Sequence, residues 1–368
     1  MTRRRFRRRA TATCAAALAA ALFSGPAAHG DPKPGTVEAW ERSTSVSLDA
    51  DGALSDVQAL PDGQVWAVGQ QQLWDVWNNR GAVRLWNGTA WSDVPVRDTM
   101  GPSVLRALSV AAAGEVWAVG DGNDGLPYLT RGGPGGFDRI KVPGLGNQDR
   151  LAGIDARPGK MVAVGSRRGH PLIVSGRSEW RVEESKIRGS LYSVSGAFAV
   201  GDTGHSPLVM RYSGGSWKPM ELPEVPGGYL RDVRADGTKR ALAVGGVYHP
   251  SGRIDPLVLS WNGKRWKREK LPHTAARLYG VTGDGHGRFW VSGFDPDRPG
   301  EPFLLRHAKG ETTIIRGGTV AGRSSVRLQS VAYLPGKGLV WAVGHAVDTA
   351  DRYSGVVETF GPKDPKIS

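Results

Sequence analysis

The chain has 368 residues, a formal net charge of +13, 39% hydrophobic residues and 23% charged residues. Its 52 glycines and 24 prolines are too many for a helical bundle or a coiled coil, and they lack the Gly-X-Y period of a collagen. No stretch reaches the roughly 20 apolar residues of a membrane-spanning helix, so no membrane span is expected.

The first 30 residues read as an address. Six arginines lie within Met1–Arg9, an alanine-rich stretch runs from Ala10 to Phe23, and small residues follow from Ser24 to Gly30. A charged head, a short apolar middle and a small-residue end predict a secretory signal over 1–30, cleaved near Gly30. Thr2-Arg3-Arg4-Arg5-Phe6 is similar to the twin-arginine export motif. Poly-Arg heads also serve ordinary export, so both routes stay open. Residues 31–36 read as a linker. Losing six arginines and no acid takes the charge from +13 to +7, and Cys14, the single cysteine, leaves as well. A mature chain without cysteine has no disulfides and no thiol chemistry. A secreted, moderately basic protein suits acidic polymers outside the cell. No basic stripe with interleaved aromatics points to nucleic acid.

One phrase then recurs along the chain: a large apolar residue followed by Ala-Val-Gly. It occurs at Trp66–Gly69, Trp117–Gly120, Val162–Gly165, Phe198–Gly201, Leu242–Gly245 and Trp341–Gly344, with Trp290-Val291-Ser292-Gly293 as a variant. A strand signal precedes each phrase, beginning at Leu54, Leu105, Leu151, Leu191, Leu230, Leu278 and Leu328. The unit length of about 40–50 residues, all strand and turn, is that of a four-stranded propeller blade. The outer half of the unit repeats too: Trp86-Asn87-Gly88-Thr89-Ala90-Trp91 matches Trp261-Asn262-Gly263-Lys264-Arg265-Trp266, with Tyr212 to Trp217 as a close variant. Asn-Gly predicts a tight hairpin with both residues at positive φ, and the following Trp is expected to pack onto the next blade.

The seventh unit lacks a fourth strand after Gly355–Phe360, and residues 361–368 read as a flexible tail. One spare strand, Val37–Arg42, lies before the first unit, with Trp40 placed as Trp91, Trp217 and Trp266 are. The expectation is therefore an all-β, seven-bladed β-propeller over 37–360. Its four-stranded blades would be closed by the N-terminal strand completing the last blade, which removes two open sheet edges.

These motifs resemble the secreted propellers of actinobacteria that carry a Trp-Ala-Val-Gly strand and a Trp-x-Gly-x-x-Trp hairpin. More distantly, they are similar to sialidase-type Asp-box propellers and seven-bladed bacterial lectins. Gly88 and Trp91 keep the end of the Asp-box pattern, but no Asp stands two residues before Gly88. The resemblance therefore implies a fold, which hosts hydrolases, lyases, lectins and scaffolds alike.

Two sets of residues are expected to converge on one mouth of the channel. The residue after each repeated leucine gives Ser55, Arg106, Ala152, Tyr192, Arg231, Tyr279 and Gln329. Arginine forks bind carboxylates and phosphates in two-point fashion, and tyrosines stack on sugars or donate hydrogen bonds. Ligand binding is assigned to Arg106, Tyr192, Arg231, Tyr279 and Gln329, and to Trp74 and Trp77 in the unusual loop of blade one. Asp121 and Asp202 are considered as a carboxylate pair, since glycosidases need two carboxyls about 5–10 Å apart. His170, His205, His249 and His345 arise on separate blades with no paired-His spacing, so no metal and no cofactor is expected.

The expected function is a secreted binding propeller, lectin-like, for an extracellular or cell-wall glycan or anionic polymer, acting as a monomer. The alternatives are a polysaccharide hydrolase or lyase with its site over the channel, and a scaffold for another secreted protein.

Overall fold

The computed structural model describes residues 38–42, 46–75, 77–112, 114–272 and 275–362. The expected signal over 1–30, its cleavage point and the 31–36 linker lie outside these residues. The described chain forms seven four-stranded antiparallel sheets, a seven-bladed β-propeller. The inner strands are Ala53–Ala59, Pro102–Ala112, Asp149–Arg157, Ser190–Ser195, Gly228–Ala235, Arg277–Gly283 and Arg323–Leu334, in blades one to seven.

Each Ala-Val-Gly phrase is the second strand of its blade. That strand is covered on both faces, so it reads as an unbroken apolar run rather than an alternation. In blade one, Val65 and Ala67 face blade seven, whereas Trp66 and Val68 face blade two. The core is accordingly seven wedges, one at each blade-to-blade interface.

The hairpin tryptophans pack onto the preceding blade, not the next. Trp86 and Trp91 meet Trp341 of blade seven at 5.6 and 5.9 Å between ring centroids. Trp261 and Trp266 meet Phe198 of blade four at 5.5 and 5.3 Å. The large residue that opens each repeat phrase is thus the knob, and the hairpin of the following blade is the socket. The Asn-Gly turn also differs from the two-residue form. Only Gly88 and Gly263 take positive φ, at 104° and 93°. Asn87 Oδ1 accepts hydrogen bonds from the backbone of Thr89 and Ala90 at 2.9 and 3.0 Å, and Asn262 does the same for Lys264 and Arg265. The side chain caps a longer turn because Asn readily bonds the backbone two residues on.

The strand Glu38–Arg42 pairs antiparallel with the last strand, Tyr353–Pro362, and becomes the fourth strand of blade seven. Trp40 opposes Phe360 in the register, as Trp91 opposes Trp86. Arg306 of blade six donates to Glu38 at 2.7 Å and fastens the closure. The last strand runs two residues beyond the expected end at Phe360: Gly361 and Pro362 pair with Ala39 and Glu38 and so are not tail.

One irregularity recurs in all seven blades. The ladder between first and second strands slips by one residue after the repeated leucine, which leaves Ser55, Arg106, Ala152, Tyr192, Arg231, Tyr279 and Gln329 as bulge residues. A bulge bends its strand and re-aims the extra side chain. The glycine ending each repeat phrase sits opposite this bulge. An added Cβ at Gly201 would lie 2.8 Å from the Ser190 carbonyl carbon and 2.9 Å from Leu191 Cα, and closer still to the Ser190 oxygen. The glycine is required by the close approach of the two backbones.

Candidate functional site

The inner strands enclose a channel of about 1270 Å³. All seven bulge residues line it, so Arg106, Tyr192, Arg231, Tyr279 and Gln329 come together as the repeat alignment expects. The tryptophans do not. Trp74 and Trp77 stay outside the channel wall on the rim, 65% and 91% exposed. Their loop is braced by Asp75, whose carboxylate accepts from the Trp77 backbone at 2.9 Å and from Asn78 Nδ2 at 2.7 Å. Trp74 leans edge-on against Tyr353 of blade seven at 5.4 Å.

The ring is chemically lopsided. In blade two Arg106 is ion-paired to Asp121. In blades three and five, Arg150 and Arg231 line the mouth with no carboxylate partner among the described residues. Arg231 lies over the Tyr279 ring at 5.2 Å. Tyr192 stands between these two arginines in chain order. Burial, and then its hydrogen bond to Asp202, push its hydroxyl up to about 12. Tyr229 stacks on Tyr248 at 4.8 Å with 29° between the rings, and burial pushes the Tyr229 hydroxyl up to about 12 as well. Both phenols therefore remain protonated through the physiological range. Blades three to six thus present an arc of two guanidinium groups and four tyrosines. Tyr229 escapes a search limited to the residue after the leucine, whereas Tyr248 belongs to the loops that follow the repeat phrases. Tyr229 stands one residue before Leu230, and Tyr248 three beyond the Gly245 of the repeat phrase.

Asp121 and Asp202 are each engaged locally, with Arg106 and Tyr192. Asp202 lines the channel, as do Asp155 and Asp284, whereas Asp121 does not; Asp56 and Asp232 also lie in its wall, at the same repeat position, two residues after the leucine. Asp56 accepts from Val57 N at 2.9 Å, Leu108 N of blade two at 2.8 Å and Ser330 Oγ of blade seven at 2.6 Å. Asp232 accepts from Val233 N, from Val281 N of blade six and from Ser193 Oγ of blade four, at 2.8, 2.7 and 2.6 Å. Each carboxylate ties three consecutive blades together. Burial pushes Asp56 up to about 7, against the hydrogen bonds of Ser330 and Leu108; burial raises Asp232 too. With their oxygens so occupied, these groups serve the ring rather than a substrate.

Of the loop histidines, His170 Nδ1 meets the Ile187 carbonyl at 2.9 Å and His249 Nε2 meets Asp255 at 2.8 Å. Among the described residues, no group of three or more His, Cys, Asp and Glu side chains is arranged to hold a metal ion.

No family model matches the chain, and no curated protein matches it. Solved structures do. The chain is similar to YCF48 from Cyanidioschyzon merolae, with a TM-score of 0.57 and 16% identity over 88% of this chain and 99% of that one. A structure of YCF48 bound to D1 peptide gives 0.54 and 14%, over 88% and 97%. The β-propeller domain of the trilobed protease from Pyrococcus furiosus, described as having an open velcro topology, gives 0.52 and 12%, over 84% and 94%. At these identities the likeness is one of fold alone.

Proposed function

We propose that this protein is an extracellular binding propeller that holds an acidic glycan, or another polymer bearing carboxylates, at the mouth of its channel. One observation carries the reading: the bulges deliver Arg231 beside Tyr279 and Tyr192 at the mouth, and neither Arg231 nor Arg150, which lines the same channel from blade three, has a carboxylate partner among the described residues. A guanidinium fork matches a carboxylate geometrically. The tyrosines supply ring faces for sugars and hydroxyl oxygens that accept. The signal-like layout of residues 1–30 supports a ligand outside the cell.

The test is calorimetric titration with hyaluronan hexasaccharide and hexagalacturonate, beside neutral cellohexaose. Binding of an acidic oligosaccharide, weakened at least about tenfold by Arg231→Gln, is expected. No binding stronger than about 1 mM, or equal binding of the neutral sugar, would refute the reading. A second reading, a peptide partner, is favoured by the exposed Trp77 and Trp74 on the rim. It gains if a tryptophan-rich rim variant, Trp77→Ala, abolishes capture of a peptide while Arg231→Gln does not.

A further inference from the structure

The side of the mouth between blades seven and one carries a second set of groups, outside the arginine and tyrosine arc. His345 directly follows the Gly344 of the repeat phrase and opposes Arg327 across the ladder. It is only 8% exposed, and both ring nitrogens are closed off from solvent with no hydrogen-bond partner among the described residues. Its ring lies 5.0 Å from that of Tyr353, tilted by 31°. Tyr353 in turn meets Trp74 at 5.4 Å. His345 and Tyr353 line the same channel as Gln329, the bulge residue of blade seven.

Burial, and then the Arg327 charge, hold the His345 imidazole down to about 4. It is neutral at ordinary pH, with one nitrogen donating and the other accepting. A buried imidazole without a partner is unfavourable; turned toward the channel it lines, the ring would be complementary to a group that does both. A carboxylate only accepts and an ammonium only donates, whereas a sugar hydroxyl does both. The amide of Gln329 likewise donates and accepts. The Tyr353 and Trp74 rings add the apolar faces on which a pyranose stacks.

We propose that His345, Gln329, Tyr353 and Trp74 form a subsite for an uncharged, hydroxyl-bearing sugar ring, set beside the arginine arc. This rests on the acidic-glycan reading and sharpens it. The polymer that fits is one in which a charged sugar at Arg231 is accompanied by an uncharged one at His345.

Hyaluronan hexasaccharide, which alternates the two kinds of sugar, is the probe. The imidazole resonances of His345, assigned by their loss in His345→Phe, are followed by NMR as the probe is added to the wild-type protein. Affinities of wild type, Arg231→Gln, His345→Phe and His345→Gln are measured in parallel. A shift of the His345 nitrogens is expected. His345→Phe should bind about five- to tenfold more weakly, with partial recovery in His345→Gln, which keeps a donor and an acceptor. If the wild type binds and Arg231→Gln loses binding while the imidazole does not move, the subsite is refuted and the acidic-glycan reading stands. If neither hyaluronan nor hexagalacturonate binds the wild type, both fall. The same resonances are lost in His345→Gln, so the wild-type NMR readout stays decisive even if His345→Phe fails to fold.

Discussion

Replacing Gly201 by alanine tests the idea that the repeat exists to make a bulge. The new Cβ would stand 2.8 Å from the Ser190 carbonyl carbon and 2.9 Å from Leu191 Cα. Comfortable carbon contacts lie at about 3.5–4.0 Å, so the two carbons alone require the strands to part by at least about 0.7 Å, and the nearer Ser190 oxygen requires more. Both obstacles are backbone atoms, so no rotamer change relieves the clash. Overpacking of this kind costs about 1–3 kcal/mol when side chains can adjust, and here we expect about 3 kcal/mol or more. For a domain of this size that is a fall in melting temperature of about 5 °C or more. Gly293 is an internal comparison. Its added Cβ would press first on the Arg277 carbonyl oxygen, but would meet the Arg277 carbonyl carbon and Phe303 Cδ1 at 3.3 Å each, a looser fit than at Gly201, so Gly293→Ala should cost less. Gly318, with nothing within 4 Å of an added Cβ, is the control, expected to stay within about 0.5 kcal/mol of wild type. The assay is thermal unfolding followed by circular dichroism. Gly201→Ala melting together with Gly318→Ala would refute the role of the glycine in the bulge.

Three further outcomes follow from the same framework. Asp56 has a folded pKa of about 7 against an ordinary 3.8; its stabilising contribution is complete below about pH 4 and disappears as pH rises through 7. Asp56→Asn should therefore show a shallower pH dependence of its urea midpoint between pH 4 and 7, and an unchanged slope would contradict the assignment. Trp266 is 3% exposed in the socket for Phe198, so Trp266→Ala should cost about 3–5 kcal/mol. The half-buried Trp91 should cost less when truncated, and equal melting shifts would argue against the packing described. Deleting residues 1–42 removes the closing strand, the Glu38–Arg306 ion pair and the Trp40–Phe360 contact. The variant should melt lower and self-associate through its open edge in light scattering, and a melt equal to wild type would show that closure contributes little.

The fold was legible because the repeat is written in local chemistry. An apolar run covered on both faces, a turn capped by Asn and a large aromatic at a fixed offset are short-range signals, and seven copies leave one way to close the ring. The missing fourth strand after Tyr353–Pro362 and the spare one at Glu38–Arg42 pointed to each other for the same reason. The direction in which the tryptophans pack was not legible, since period and spacing are identical whether a blade leans forward or back.

The site was legible in its inventory and not in its pairing. Alignment of the repeats located Arg106, Tyr192, Arg231, Tyr279 and Gln329 on one ring, because every blade places equivalent residues at equivalent heights. Which of them stay available depended on neighbours distant in sequence. Asp121 neutralises Arg106, while Arg231 lies over the Tyr279 ring with no carboxylate partner among the described residues. The three-blade stitches of Asp56 and Asp232, and the buried imidazole of His345 beside Tyr353, likewise exist only once separate blades are brought together. Sequence by itself determined the blade, its number and its closure, which follow from hydrophobic period and turn chemistry. Tertiary structure alone decided the charges left unpaired at the mouth, because Coulomb and hydrogen-bond partners are set by distance through space and not along the chain.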